Sequence, residues 1–510
     1  MELNISEINF PYRKTVFESN VEQNIDTDFT LPDYYPEIVK VLKCITEINI
    51  LSAQCNDSGV KIGGQVVLTL LYFGGDDQPN SFTHTVPFTK TVDASDVVDG
   101  FAHVVPRLNY LNTKAVGPRK VEAHGSMAIG VSVESVKGCK VVSAAECDGI
   151  YARADEISVA EPHNTISKSV FVEDDIQIPQ TRPSVGKILR KCAKATVTEC
   201  KYTSGKAVLK GDFLIELLYC PSDGGRPILL TDSNPFSQVL DCPCDSDDVS
   251  FDAVARVDSF ELHPKTSVDG EVRNISFEAK VCIELVPYCL TKKHIVTDAF
   301  SGKYSADIVS SELFSESVSD RINDTFVCRK TMDFGEDNLT EIYDVWSTSS
   351  VDFVTVDNSD ILVKGSVAVN ILGCDHDNQT VYFERPIDYE YRFEIGAVTD
   401  EIRCNPDIAV QAVEHSLNAG GTIDVAVELS IKTTVFSLRP IKAITKINID
   451  QSTLLSKSND SAVILYFAEN ESAWDIAGKY QTDPECICKI NGIDSIDEKC
   501  NKVLLIPNVQ

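Results

Sequence analysis

The chain of 510 residues carries 17 cysteines and 8 histidines, the residue types that most often ligate metals or act as nucleophiles. Their spacing argues against both roles. The closest thiol pairs, Cys242 with Cys244 and Cys486 with Cys488, are C-x-C rather than C-x-x-C, and neither is matched by a second pair with histidine at zinc-site spacing. The run Asp375-His376-Asp377-Asn378 has the polar character of a calcium loop. The Asp-rich segments at matching places elsewhere in the chain are also turns but lack the histidine and the downstream bidentate acid, so it reads as a turn. Adjacent carboxylates such as Asp174 and Asp175 are expected by chance among 77 acidic residues. No G-x-x-x-x-G-K-[ST], G-x-S-x-G, H-E-x-x-H or G-x-G-x-x-G run occurs, so nucleotide, hydrolase and zincin chemistries lack their usual marks. The expectation is a protein that is not an enzyme and holds no cofactor and no metal.

Composition narrows the class further. Hydrophobic residues make up 43% and charged residues 24% of the chain, near the averages for soluble globular domains, and 510 residues exceed what one hydrophobic core supports. The formal net charge of −31 repels the nucleic-acid backbone and anionic lipid surfaces. The first residues, MELNISEINFPYRK, lack the basic start and apolar run of an export signal, and no stretch reaches the ~20 apolar residues of a membrane span. An odd number of cysteines at irregular spacing fits reduced thiols. These features lead us to expect a cytoplasmic chain without direct membrane insertion.

The elements that would position any site come in repeats. PEIVKVLK from Pro36 and PSVGKILR from Pro183, like GQVVLTLLY from Gly64 and GDFLIELLY from Gly211, are each 147 residues apart. A third, more diverged copy reads TEIYDVW from Thr340 and GSVAVNILG from Gly365, with Gly373 in place of Tyr72 and Tyr219. Val66, Leu68 and Leu70, Phe213, Ile215 and Leu217, and Val367, Val369 and Ile371 alternate with other residues, which predicts a strand with one buried face. The change from Val67, Thr69 and Leu71 to Ser366, Ala368 and Asn370 predicts a more exposed second face in the third copy. Turn-rich segments follow at Gly74, Cys220 and Gly373, then extended runs toward Pro87, Pro235 and Pro386, a hairpin signature. In P-x-[IV]-x-K-[IV]-L, apolar Ile38, Val41 and Leu42 sit at i, i+3 and i+4, which predicts a short helix. The fold class is therefore mainly β: three tandem sandwich-like repeat domains over residues 1–165, 166–310 and 311–455, and a small α+β module over 456–510.

The triple arrangement, with its Pro-Phe pairs at Pro87-Phe88 and Pro235-Phe236, resembles the SPOCS domain of the SipL family of spore-coat assembly proteins. The last segment, from Ile464, resembles a LysM domain with β-α-α-β order. The matching residues are Asn470-Glu471-Ser472-Ala473-Trp474, Ile476-Ala477, Tyr480, Asn491 and Leu505-Ile506-Pro507. Trp474, Ile476, Ala477 and Tyr480 are read as one buried helical face and Ser472 as the helix cap. Asn470 and Ala473 stand where glycine and leucine are usual.

The resemblance to the SipL family implies a scaffold in endospore formation. Such a protein acts in the mother cell at the forespore and coat surface, and its LysM domain docks the morphogenetic ATPase of the coat. In carbohydrate-binding LysM domains the ligand lies between the loop after the first strand and the loop before the last. Here those loops carry Asn470, Glu471, Ser472, Ala473, Asp494 and Ile496, the candidate partner-binding residues. The alternative is a cell-wall protein that grips N-acetylglucosamine polymers such as peptidoglycan or chitin. Residues 462–510 carry eight acidic and four basic side chains, which suits a basic protein surface better than a neutral glycan.

Overall fold

The structure, a computed structural model, describes residues 4–243, 249–334, 339–357, 360–395, 401–418, 421–455 and 463–507. Cys244 lies outside them; the described cysteines are free thiols. Among the described residues no helix is long and apolar enough to cross a membrane.

The chain is mainly β. The first set of strands is β1 (Asn4–Thr30), β2 (Ile38–Asn56), β3 (Gly59–Gly74), β4 (Pro79–Asp93), β5 (Phe101–Ala115) and β6 (Lys120–Glu146). The second is β7 (Ile150–Pro162), β8 (Ile166–Gln177), β9 (Val185–Thr203), β10 (Lys206–Pro221), β11 (Ile228–Asp241), β12 (Val249–Thr266) and β13 (Val272–Ser301). The third is β14 (Tyr304–Met332), β15 (Glu341–Asp357), β16 (Asp360–Cys374), β17 (Thr380–Glu394), β18 (Glu401–Arg403), β19 (Asp407–Leu417) and β20 (Ile423–Leu454). Each repeat is built from two antiparallel sheets. One is a hairpin sheet, β2-β3-β4, β9-β10-β11 or β15-β16-β17; the other is organised on a long strand, β6, β13 or β20. The strand that pairs with each long strand begins the repeat, so β7 and β14 start ahead of residues 166 and 311.

The alternating strand has the expected buried face. Leu68, Ile215 and Val369 are at most 1% exposed and pack against the inner face of the long-strand sheet, which in the first repeat presents Met127, Ile129 and Val131. The repeated glycine has a steric reason. A Cβ on Gly64, Gly211 or Gly365 would fall within 2.4–2.6 Å of the ring or hydroxyl of Phe88, Phe236 or Tyr389, which stands opposite on the next strand. The aromatic covers the bare backbone and only glycine leaves room for it. By the same register Asp388, not Pro386, is the third-repeat counterpart of Pro87.

Two further sequence expectations are overturned. The P-x-[IV]-x-K-[IV]-L element is strand, not helix. Val39 and Leu42 in β2, and Gly186 and Leu189 in β9, are extra residues inserted as β-bulges, and each insertion breaks the period of two so that apolar residues fall at helix-like intervals. In β15 Tyr343 is the bulged residue, which makes it the counterpart of Leu42. Trp346, which the TEIYDVW alignment had placed there, sits three residues further on.

The second face of the third strand is also not more exposed. Asn370 is 7% exposed, its Oδ1 accepts from the Tyr382 hydroxyl at 2.6 Å, and the surface that covers it belongs to a junction between repeats. There β4 lies against β9, β11 against β15 and β17 against β2, so the three hairpin sheets close into a ring. At its centre Leu71, Leu218 and Leu372 come together with Leu42, Leu189 and Tyr343, one equivalent residue from each repeat and one bulge from each. Each buried leucine contributes roughly 2 kcal/mol through lost apolar surface. Opposite the three leucines stand Lys43, Arg190 and Asp344. Arg190 donates to Asp344 at 2.7 Å and to Glu216 at 3.1 Å, and its guanidinium lies over the Trp346 ring.

The long strands meet in a second layer built on Val142, Val296 and Ile444. A bulge follows each: Ser143, Thr297 and Thr445 are the extra residues. Their hydroxyls donate to the carbonyls of Ser6, Arg153 and Val309 at 3.1, 3.4 and 3.2 Å. This repeated detail fixes which residues at the three strand tips are equivalent.

Candidate docking face of the C-terminal module

The last described segment runs β21 (Val463–Phe467), β22 (Glu471–Ser472), α1 (Ala473–Tyr480), α2 (Pro484–Asn491), β23 (Lys499–Cys500) and β24 (Val503–Pro507). Ser472 caps α1 through a capping box with Asp475, and Asp483 caps α2 with Pro484 in its first turn, so both helices start on residues that satisfy their free N–H groups. Gln481 and Gly492 end the helices in left-handed conformations. The core is small: Ala468, Ala473, Ile476, Ala477, Ile487, Leu504 and Ile506. Asn491 holds the edge of β24, accepting from the Leu505 N–H and donating to the Leu505 carbonyl, both at 2.7 Å.

The structure brings the two candidate loops together. The Trp474 N–H donates to the Ile496 carbonyl at 3.0 Å, and β22 pairs with β23 through Glu471 opposite Cys500 and Ser472 opposite Lys499. The six candidate residues then divide. Asn470 is exposed at φ 57° with its N–H on the Asn501 side chain, and Asp494 is exposed. Ile496 is half-buried. Glu471 is half-buried and occupied: it accepts from the Tyr466 hydroxyl at 2.6 Å and from Lys479, and these two hold its carboxyl below the usual range. Ser472 is 3% and Ala473 0% exposed. One is spent on the helix cap and the other on the core, so neither offers a surface to a partner.

Trp474 is 4% exposed, but not on the face read from the sequence. Two residues along a helix are about 200° apart, so Trp474 points away from Ile476 and toward the second repeat. Its ring meets Phe300 edge-on at 5.0 Å and its Nε1 donates to Asp298 Oδ2 at 2.9 Å. Tyr151 stacks on Phe300 at 5.2 Å, and burial with Asp483 nearby pushes its hydroxyl up to about 12. Beside the second loop, Asp497 pairs with Arg153 at 3.0 Å. None of these partners was foreseen. The available signal was Phe300 itself, an aromatic at the end of a strand whose counterparts are Glu146 and Asn448.

Other groups offer less. The turn at Asp375 is a turn as expected: Asp375 Oδ1 accepts from the N–H groups of Asp377 and Gln379 at 2.9 and 2.8 Å. Among the described residues no group of three or more His, Cys, Asp or Glu is arranged to hold a metal. A concavity lined by Arg329, Lys330, Glu414, His415 and Asp424 mixes both signs of charge, and Asp424 is already bonded to Thr331.

Comparison with known proteins gives one match: residues 37–116 fit the family described as SipL, SPOCS domain. That stretch covers β2 to β5, the hairpin sheet of the first repeat and the strand laid over it. No curated protein and no solved structure matches the chain.

Proposed function

We propose, from a SipL-like chain with a SPOCS domain in its first repeat as premise, a scaffold that works in spore-coat assembly without catalysing a reaction. The match at residues 37–116 carries the reading. The ring of three hairpin sheets supplies the body, and the C-terminal module, which resembles LysM, docks the coat morphogenetic ATPase through the loop positions left accessible, Asn470, Asp494 and Ile496. The protein works in the mother cell, at the forespore surface. Two observations favour a protein partner over an N-acetylglucosamine polymer. The candidate loops present no aromatic ring for a sugar to stack on, since Trp474 is covered by the second repeat. The sheet β21-β24 turns Val463, Leu465, Phe467, Val503 and Leu505 outward, 40–72% exposed, an apolar face of the kind proteins bury on each other.

Affinity capture from sporulating cells, with the full chain and with a chain ending at residue 455, tests the proposal. The full chain should retain the ATPase and the shortened one should lose it. Chito-oligosaccharide binding by the full chain at micromolar concentration, with no ATPase retained, would replace this reading with the cell-wall one.

A further inference from the structure

We propose that the free edge of β21 pairs antiparallel with β21 of a second copy of this chain, joining two molecules through their C-terminal modules. The pairing stands independently of the function proposed above.

The hydrogen bonds of the module identify the edge. In an antiparallel pair, facing residues alternate between those that bond across and those whose N–H and C=O point away from the partner strand. Asn491 accepts from the Leu505 N–H and donates to the Leu505 carbonyl, so both groups of Leu505 point away from β21. Leu465, the residue opposite, therefore turns its N–H and C=O away from β24, and Val463 and Phe467, each two residues along, do the same. Ala468 keeps the other phase, with its N–H on the Lys502 carbonyl at 3.0 Å. Asn491 thus closes the edge of β24, whereas the outer edge of β21 has no backbone partner among the described residues.

Edges elsewhere in the molecule are guarded. β4, β11 and β17 carry Pro87, Pro235 and Pro386. β5, β12 and β19 are interrupted by bulges at Asn109, Asp258 and Gln411, and β8 carries Lys168, Glu173, Asp174 and Asp175. Prolines, bulges and charges of this kind keep one sheet edge from pairing with another. β21 reads Val463-Ile464-Leu465-Tyr466-Phe467, with no proline, charge or bulge. The module meets the second repeat through Trp474 and Asp497, and that contact leaves Leu465 72% exposed.

Charge and register name the occupant. Two chains of net charge −31 repel each other over most of their surface, and an uncharged strand is where they can approach. With the twofold axis at Leu465, that residue faces its own copy, while Val463 faces Phe467 and Ile464 faces Tyr466 of the second copy. Each cross-strand pair beside the axis then sets a smaller side chain against a larger one. The outward N–H and C=O groups of Val463, Leu465 and Phe467 close about six hydrogen bonds between the copies. A twofold contact of this kind uses the same edge on both molecules, so assembly stops at two.

The test is the mass of the full chain in solution, followed by light scattering across the micromolar range. The wild type should approach twice its 56.0 kDa. Leu465→Pro removes an N–H that makes no bond inside the module, and Leu465→Lys sets two like charges opposite each other on the axis. Each should raise the dissociation constant about tenfold or more, with circular dichroism and tryptophan emission as in the wild type. Leu505→Lys, on the same outward face but in β24, should keep the dimer. A wild type that stays at 56.0 kDa throughout would overturn the pairing, and so would a Leu465→Pro chain that still doubles its mass. Equal loss of the dimer in Leu505→Lys and Leu465→Lys would move the contact from the edge of the sheet to its face. A monomeric wild type whose Leu465→Pro variant no longer retains the coat ATPase would give the edge to that protein instead.

Discussion

The central junction of the three hairpin sheets and the tip where the C-terminal module sits are both contacts between separate parts of the chain, and they are built in different ways. At the junction Leu71, Leu218 and Leu372 are at most 2% exposed, and the ion pair of Arg190 with Asp344 beside them is 6% and 0% exposed. At the tip a single indole is buried and the ion pair stands half in water. Charge placed at equivalent positions explains the first case. Three like repeats would put three like residues on the axis; Lys43, Arg190 and Asp344 make the positions unlike. A buried pair of this type adds little net stability, but it penalises any arrangement in which the repeats meet in a different order. The long-strand layer repeats the device, with Arg13 and Glu316 at equivalent positions and Arg403 bridging Glu134 and Glu316. The tip needs no such rule, because only one of the three can receive the module.

The largest expected effect breaks the junction's support from below. Leu68→Asp, Ile215→Asp or Val369→Asp would bury an unpaired carboxylate at a cost of several kcal/mol, comparable with a whole domain's stability of ~5 to 15 kcal/mol. Each should abolish the cooperative melt followed by circular dichroism, and tolerance at any one of them would show that its face is not closed.

Next comes the axis itself. Asp344→Ala leaves the Arg190 guanidinium buried with only Glu216, and urea unfolding should register a loss of about 3–5 kcal/mol. The double variant Arg190→Met/Asp344→Leu should recover most of it, because an apolar pair of similar volume carries no desolvation penalty. A double variant as unstable as the single one would mean that the pair is needed for stability and not only for order.

The third prediction separates equivalent positions. Asn370→Asp removes the amide that donates to the Trp346 and Ala368 carbonyls and should cost about 1–3 kcal/mol. Thr69→Asp, at the matching place but half-exposed, should stay within about 0.5 kcal/mol. Equal losses in urea would erase the distinction between the two faces.

The smallest effect lies in the module. Lys479 and Tyr466 depress the Glu471 pKa in the folded state, so the stability it contributes is present above the unfolded value near 4.5 and is lost as pH falls through the lower folded value. NMR titration of the Glu471 carboxyl should give a midpoint below 4.5, the ordinary value for glutamate. Glu471→Gln should remove that part of the acid sensitivity.

The repeat, the buried face of the Gly-to-Tyr strand and the hairpin turns were legible because each is set by residues close in sequence. What could not be read was set at a distance. The P-x-[IV]-x-K-[IV]-L element passed for a helix because two bulges in eight residues imitate its spacing, and the bulges exist to aim Leu42 and Leu189 at a junction the sequence does not announce. Asn370 looked exposed on a polar face, but the junction covers it. In the candidate site, the helix cap at Ser472 and the left-handed Asn470 followed from local chemistry, whereas the direction of Trp474 depended on Phe300, 174 residues earlier.

The ring also sets a schedule. Its closing contact, Lys43 to Glu384, joins residues 341 apart, so the first repeat emerges from the ribosome long before the surface that completes it. At roughly 5–20 residues per second that interval is on the order of 20–70 s. Throughout it Leu71 and its neighbours have no third-repeat partner. A chain of this design spends its youth with an open seam, and crowding at that stage would join one chain's first repeat to another's third.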